Sequence, residues 1–289
     1  MRNKKERIGF FIHPSARENW KTKATNLYER TPFSYVEELK FPFNHQLENT
    51  SAVVVVAGDG SIRSVSESLM AREDPPALVI IPGGSHNGVF RALKDANISV
   101  SVDQLIEGEL DKIPLFRPGL INNQLFNHFT GWGELELLHA RTSENLRRFF
   151  YPRNYRMFAA GFFAITRSLR MQDNPEYLMR IAITSPFVGP IKAVPDQDMY
   201  SDKLTLLSVQ SAPTRLQSAA KLGRLLFHSL ARLRLPENIL SVESSASFEF
   251  EYAGKISKAN ADGQIVDITN NNRISIRRHD KGLKIAALI

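Results

Sequence analysis

Four consecutive valines, Val53–Val56, followed by the turn Ala57–Gly58–Asp59–Gly60–Ser61, constrain the fold of this chain more than any other stretch. An unbroken β-branched run reads as a strand buried on both faces, the pattern of a central parallel strand rather than of a half-solvated antiparallel one. Gly58 and Gly60 permit positive φ and close backbone approach. Ser61 is a favoured N-cap for a helix predicted over Ile62–Met70. A strand, a glycine turn bearing one carboxylate and a helix N-terminus together present backbone N–H groups that suit phosphate. The same arrangement also serves as an ordinary strand-ending turn.

The pattern repeats on either side. Ile8–Ile12 reads as a strand, His13–Pro14–Ser15 as a turn and Arg17–Tyr28 as a helix; another strand is predicted near Phe33–Leu39. Beyond the Asp74–Pro75–Pro76 break, Ala77–Ile81 is a second fully apolar run. It ends in Pro82–Gly83–Gly84–Ser85–His86–Asn87, and Gly88–Leu93 opens a helix. Three strand–turn–helix units in succession argue for a parallel sheet with its turns gathered at one edge, where ligands of open α/β sheets bind. The two glycine turns are therefore expected to be neighbours.

From about Ile113 the texture changes to short alternating segments, Gln124–Phe129, Tyr177–Thr184, Lys203–Val209, Ser247–Glu251 and Arg273–Arg277, the pattern of antiparallel β structure. Helices are predicted over Tyr155–Leu169 and Arg215–Leu235. The expected class is thus α/β plus all-β. Residues 1–113 form a three-layer α/β domain with a mostly parallel sheet, to which residues 278–289 are a candidate return, and residues 114–277 form an antiparallel β-sandwich with added helices. Phe162, Phe163 and Phe187 are candidates for an acyl-chain pocket, although apolar residues in a sandwich are normally core.

Composition narrows the chemistry. The 289 residues contain no cysteine, which removes disulfides, thiolate metal sites and cysteine nucleophiles together. His128, His139, His228 and His279 lack metal-ligand spacing, and no nucleophile elbow supports a serine hydrolase. The apolar run Ile8–Ile12 is too short for a signal-peptide core, and none reaches the roughly 18 residues that span a bilayer, so a cytoplasmic protein is expected. A net charge of +7 calls for an anionic partner. Two stretches suit an anionic membrane face: the basic side of Arg215–Leu235, and the mixture of cations and aromatics Arg147–Arg156. Each also reads as an ordinary solvated face or connector, and no nucleic-acid partner is expected.

The ordered set of strand, Gly58–Asp59–Gly60–Ser61, helix, strand, Pro82–Asn87, helix and a late Ala261–Asp262–Gly263–Gln264 resembles the diacylglycerol kinase catalytic family. That family includes bacterial soluble lipid kinases and sphingosine kinases, with NAD kinases more distant. Its signatures are a G-G-D-G-T turn, a P-x-G-T-x-N-D turn and a late D-G-E; His13–Pro14–Ser15 stands where the family has N-P-x-S-G. The resemblance also touches Ile183–Leu206, with Gly189 and Val194–Pro195–Asp196. It implies a kinase that transfers a phosphoryl group from ATP, with Mg²⁺, to a hydroxyl of a lipid or other hydrophobic alcohol, in a cleft between the two domains. Gly58, Asp59, Gly60, Ser61, Gly83, Gly84, Ser85 and Asn87, with His13, Pro14 and Ser15, would hold the nucleotide, and Asp59 would face the γ-phosphate or its Mg²⁺.

Departures from the family pattern fall on demanding positions. Ala57 replaces the first glycine, and His86–Asn87–Gly88 removes the acid of the second turn. Gln264 stands where the family carries the glutamate of D-G-E, and glutamine cannot accept a proton. Arg117 aligns with a catalytic aspartate, and Ser201–Asp202–Lys203–Leu204 with a metal-binding D-G-x-L, leaving Asp202 as a partial metal substitute. Two expectations follow: a lipid kinase using Asp59 as its base, with Asp262 assisting, or a pseudokinase that keeps nucleotide or lipid binding without phosphoryl transfer.

Overall fold

The computed structural model of the chain describes residues 7–14, 36–38, 50–84, 87–132, 153–170, 176–188, 191–230, 238–251, 258–268 and 273–289, with isolated positions 16, 18, 21, 22, 25, 29, 47, 138, 142, 145 and 236. They divide into two units, one drawn from 1–118, 198–200 and 279–289, the other from 119–197 and 201–278.

The first unit holds strands β1 (Arg7–Ile12), β2 (Val36–Glu38) and β3 (Thr50–Ala57), helix α1 (Asp59–Met70), strand β4 (Ala77–Pro82), helix α2 (Gly88–Asp95), strand β5 (Ser99–Val100), helix α3 (Val102–Glu107) and strand β6 (Leu115–Phe116). β2, β1, β3 and β4 lie side by side and parallel, with Val53–Val56 paired to Leu78–Ile81. Val53, Val54, Val55 and Val56 have no exposed surface, as their β-branched run requires of a strand covered on both faces. Val54, Val56, Val79 and Ile81 share one core with Leu105 of α3 and Ile113. Alternation sends Val53, Val55, Leu78 and Ile80 to the opposite face. α1 packs on β3, and none of its buried residues, among them Ile62, Val65 and Leu69, belongs to the core on the α3 side, so helices cover both faces of the sheet. The predicted helix over Arg17–Tyr28 falls mostly outside the described residues.

The second unit begins with β7 (Gly119–Ile121), β8 (Gln124–Phe126), β9 (Phe129–Trp132), α4 (Arg153–Arg170), β10 (Tyr177–Ile183), β11 (Phe187–Val188) and β12 (Ile191–Lys192). It continues with β13 (Leu204–Gln210), α5 (Arg215–Leu230), β14 (Leu240–Ser245), β15 (Ser247–Glu251), β16 (Lys258–Ala261), β17 (Gln264–Asp267) and β18 (Arg273–Arg278). Two antiparallel sheets, in the orders β14-β13-β10-β9-β16-β17 and β15-β18-β7-β8, share a core. Phe126, Ile276 and Phe248 from one sheet meet Trp132, Leu206 and Ala261 from the other. This is the β-sandwich expected of the alternating segments.

The run Gln124–Phe129 is broken into β8 and β9 rather than forming one strand. The break falls at Asn127 and His128, whose backbone N–H groups donate to the Asp262 carboxylate instead of to a ladder partner. α4 and α5 pack against each other: a Cβ on Gly161 would lie 2.6 Å from Leu226 Cδ1. Leu222 of α5 joins Leu178, Val209 and Ile239, with Ile165 of α4 against them, so the two helices cover β10, β13 and β14. Leu233 and the rest of the predicted stretch 231–235 lie outside the described residues. Phe162 and Phe163 are 52% and 51% exposed on α4, which places them outside the sandwich core.

The chain ends with β19 (Leu283–Leu288), which inserts into the first sheet between β4 and β5, parallel to both, while β6 pairs antiparallel with its start. Tyr200 belongs to the same unit. Its hydroxyl donates to the Ile285 carbonyl at 3.4 Å, and its ring meets Phe116 edge-on.

Burial, and secondarily the Asp198 carboxylate, push the Tyr200 phenol above its ordinary value of 10.0. The folded state therefore holds this proton more tightly than the unfolded chain. Its contribution is complete below the unfolded value and is lost as pH rises above it. Urea unfolding from about pH 8 to about pH 11 is expected to show an alkaline loss of stability that Tyr200→Phe flattens. An equal loss in both proteins would remove Tyr200 as its source.

Candidate functional site

Three turns gather at the carboxyl ends of β1, β3 and β4. The His13 N–H donates to the Val56 carbonyl at 3.0 Å and the Ala16 N–H to the His13 carbonyl at 2.9 Å, which seats the first turn beside β3. The Gly83 N–H donates to the Ala57 carbonyl at 2.9 Å. Glycine is required here by distance. A Cβ on Gly84 would stand 2.5 Å from Gly58 Cα, and one on Gly83 would stand 2.9 Å from the Ala57 nitrogen. The expected neighbourhood of the two glycine turns is thus a backbone-to-backbone contact.

Two side chains fix this contact. Asn87, at φ 51° and ψ 49°, accepts from the Gly84 N–H through Oδ1 at 2.8 Å and donates from Nδ2 to the Gly84 carbonyl at 3.0 Å. Asparagine tolerates this left-handed backbone better than most residues. Asp59 reaches across from α1 to α2: Oδ2 accepts from the Gly88 N–H at 2.9 Å and Oδ1 from the Val89 N–H at 3.1 Å. The carboxylate thereby caps the positive end of α2.

Two expectations need correction. Gly58 has φ −92°, and neither it nor Gly60 is among the positive-φ residues, so the first turn uses glycine for approach and not for left-handed backbone. Ser61 lies inside α1, whose N-cap is Gly58 with no side-chain cap. Asp59, the residue after the cap, directs its carboxylate to α2. What remains is a helix N-terminus without a side-chain acceptor, beside a glycine turn, at three strand ends.

In the second unit, Asp262 and Gly263 form a two-residue hairpin between β16 and β17, with φ of 50° and 85° and with Ala261 paired to Gln264. Positive φ at both central residues is the type I′ pattern, which favours Asp-Gly. Asp262 is 4% exposed. Its carboxylate accepts from the Asn127 N–H at 2.7 Å, the His128 N–H at 2.9 Å and the Phe129 N–H at 3.0 Å, while its own N–H donates to the Phe129 carbonyl at 3.0 Å.

Polar groups continue inward from this turn. Thr184 Oγ1 donates to the carbonyls of Asn127 and His128, Ser185 Oγ lies 2.6 Å from His128 Nδ1, and buried Arg278 donates to the carbonyls of Thr184 and Lys203. Sequence reasoning missed this network, since threonine, serine and arginine carry no local sign of what they will meet. The Asn87 clamp left a trace: an asparagine immediately before a predicted helix is a recognised cap.

Gln264, Arg117 and Asp202 are exposed, as are Asp196 and Asp198; His13, Gly58, Asp59, Gly60, Ser61, Gly84 and Asn87 are half-buried, Gly83 is buried and Pro14 is exposed. Ser15, Ser85, His86 and Gly189 lie outside the described residues. Among the described residues no group of three or more His, Asp or Glu side chains is arranged to hold a metal ion.

A parallel α/β unit followed by two antiparallel β-sheets defines a class of fold that solved structures share. The fold matches a diacylglycerol kinase from Bacillus anthracis str. Sterne at a TM-score of 0.61 and 15% identity, over 97% of this chain and 96% of that one. A second protein from that organism, provisionally named a diacylglycerol kinase, matches at 0.65 over 98% of each chain, also at 15% identity. In sequence, the chain is 24% identical over 228 residues to a diacylglycerol kinase of Staphylococcus saprophyticus subsp. saprophyticus, covering 72% of this chain and 73% of the relative. It is 26% identical over 190 residues to one of Staphylococcus aureus, covering 62% of this chain and 57% of that protein. Residues 21–117 match the diacylglycerol kinase catalytic domain.

The Asp262 geometry makes a stability prediction. Asp262→Ala leaves three N–H groups, two of them buried, without their acceptor and is expected to cost about 3 to 5 kcal/mol, read from urea unfolding. A loss below about 1 kcal/mol would show that water replaces the carboxylate there.

Proposed function

We propose that this chain is a kinase of the diacylglycerol kinase type, transferring a phosphoryl group from ATP to a hydroxyl of a lipid or other hydrophobic alcohol. The observation that carries this reading is the N-terminus of α1, which has no side-chain cap and stands against the Gly83–Gly84 turn where three strands end. Its first-turn N–H groups, from Asp59, Gly60 and Ser61, suit phosphate oxygens. Gly58 and Gly84 keep the site clear of Cβ atoms, and Asn87 holds the second turn in place.

ATP bound with Mg²⁺ would supply the phosphoryl group and neutralise much of its charge. The metal would arrive with the nucleotide, keeping waters and phosphate oxygens as ligands beside one or two carboxylates. Asp59 is the carboxylate we assign there. Each of its oxygens accepts one N–H from α2, which orients it and leaves further lone pairs for a metal ion or an acceptor hydroxyl. Asp202 is the secondary candidate as a metal ligand. Arg117 places a cation where related enzymes have an acid, and a cation suits phosphate rather than proton abstraction.

A second reading has its own support. The Asp262 carboxylate already accepts three backbone N–H groups, and Gln264 cannot take a proton, so neither supplies a base. A chain with these substitutions, if Asp59 also fails as a base, would bind nucleotide or lipid without turnover.

The two readings separate in one experiment. Lipids extracted from purified protein are analysed by mass spectrometry before and after incubation with Mg·ATP and a panel of lipid alcohols. The kinase reading expects a mass gain of one phosphoryl group, reduced about a hundredfold or more in Asp59→Ala. Nucleotide binding with no mass gain supports the binding module, and absence of both overturns the assignment of the α1 turn. Gly84→Ala, whose added Cβ meets the Gly58 backbone, is expected to weaken nucleotide binding at least about tenfold; unchanged affinity would detach the Gly58–Gly84 contact from the nucleotide site.

A further inference from the structure

The outer surface of α4 and α5 is built unlike the solvated face of an ordinary helix pair. On α4, Phe158, Phe162 and Phe163 are each a little over half exposed, with Leu169 at 42%. Phe158 and Phe162 are stacked at 6.4 Å between centroids, and Phe163 meets Phe162 at 6.4 Å in a T arrangement. Positions 158, 162 and 169 recur at helical spacing, so they form one stripe along a helix about 27 Å long. On α5, Leu216 and Phe227 are 73% and 62% exposed and fall on one face by the same spacing, with Arg224 between them. The inward faces of both helices are already used, against each other at Gly161 and Leu226 and against the sheet through Ile165 and Leu222.

Charge accompanies the aromatics. The two helix sequences contain seven lysines and arginines and no aspartate or glutamate, in a chain whose overall excess is also +7. Arg167, Arg170, Arg215 and Arg224 are exposed. The sequence just before α4, Arg147–Arg148–Phe149–Phe150–Tyr151, has the same composition. Exposed aromatics set among cations, without carboxylates, complement a surface that is apolar inside and anionic at its edge. The same charge weighs against a second copy of this chain as the occupant, because a two-fold contact would press like charges together.

We infer that the α4–α5 surface docks on an anionic lipid bilayer, with Phe158, Phe162 and Phe163 entering the interface and the helix cations facing lipid phosphates. This holds whether or not phosphoryl transfer survives, and so stands apart from the kinase reading. It moves the membrane-facing aromatics from the stretch read in the sequence, Arg147–Arg156, to the face of α4.

The test is co-sedimentation of the full chain with vesicles of phosphatidylcholine alone and with about 30% phosphatidylglycerol, alongside light scattering. Wild-type protein is expected to bind the anionic vesicles and not the neutral ones. Partition is expected to fall at least about tenfold in F158S/F162S/F163S and to become weak and salt-insensitive in R170E/R224E. Phe162→Trp keeps the surface apolar and reports directly: its emission should shift to shorter wavelength on anionic vesicles, a readout that survives any misfolding of the triple variant. Three results would overturn the inference. They are no binding to anionic vesicles, a triple variant that folds and binds unchanged, or a triple variant that converts a dimer to a monomer with its vesicle partition unaltered. None of these measurements needs ATP, so a failure here leaves the kinase reading untouched.

Discussion

Gly58 and Gly84 touch backbone to backbone, and the arrangement of the first unit's turns depends on that contact. Strands β3 and β4 are adjacent and in register up to Ala57 and Pro82, so the chains leaving them must diverge or pass within contact distance. They pass, because neither residue carries a Cβ. The closeness brings the start of α1 within reach of the start of α2, and only then can a carboxylate on the first helix accept from the second. Asp59 belongs to the first helix and caps the second, leaving the first helix without a side-chain acceptor of its own. The first-turn N–H groups of α1 are thus left without a side-chain acceptor because the available carboxylate is used elsewhere.

Asp262 is used in the same way in the second unit. Both aspartates sit in Asp-Gly pairs, and both accept backbone N–H groups from a distant part of the chain. Their surroundings differ. Asp262 is buried and holds three donors, which makes it a fastening between the β16–β17 hairpin and the break between β8 and β9. Asp59 is half-buried and holds two, which leaves it accessible to a ligand. Identical dipeptides therefore have different chemical prospects, decided by donor number and access to solvent.

The parallel unit was legible because its core strands are continuous apolar runs with glycine turns behind them, signals that sit within ten residues of one another. The alternating segments of the second unit were legible for the same local reason. The strand β19 carries a weaker pattern, and its place between β4 and β5 comes from pairing over some two hundred residues. The break at Asn127–His128 was hidden too, since the carboxylate that causes it is 135 positions away. Phe162 and Phe163 read as interior residues by composition; which side of a helix meets the sheet is settled by Gly161 and Leu226 and by the cluster around Leu222.

The sequence by itself determined the class of fold and the two glycine turns, since each rests on residues that are neighbours in the chain or stand in a fixed order. Tertiary structure decided what those residues do. It gave the close approach open to Gly58 its partner in Gly84, moved Ser61 from a cap to a position inside a helix, and set the Asp262 carboxylate on three backbone N–H groups. The physical reason is that hydrogen-bond partners and excluded volume are properties of surroundings. A carboxylate or a missing Cβ acquires its function from whatever backbone the fold brings beside it.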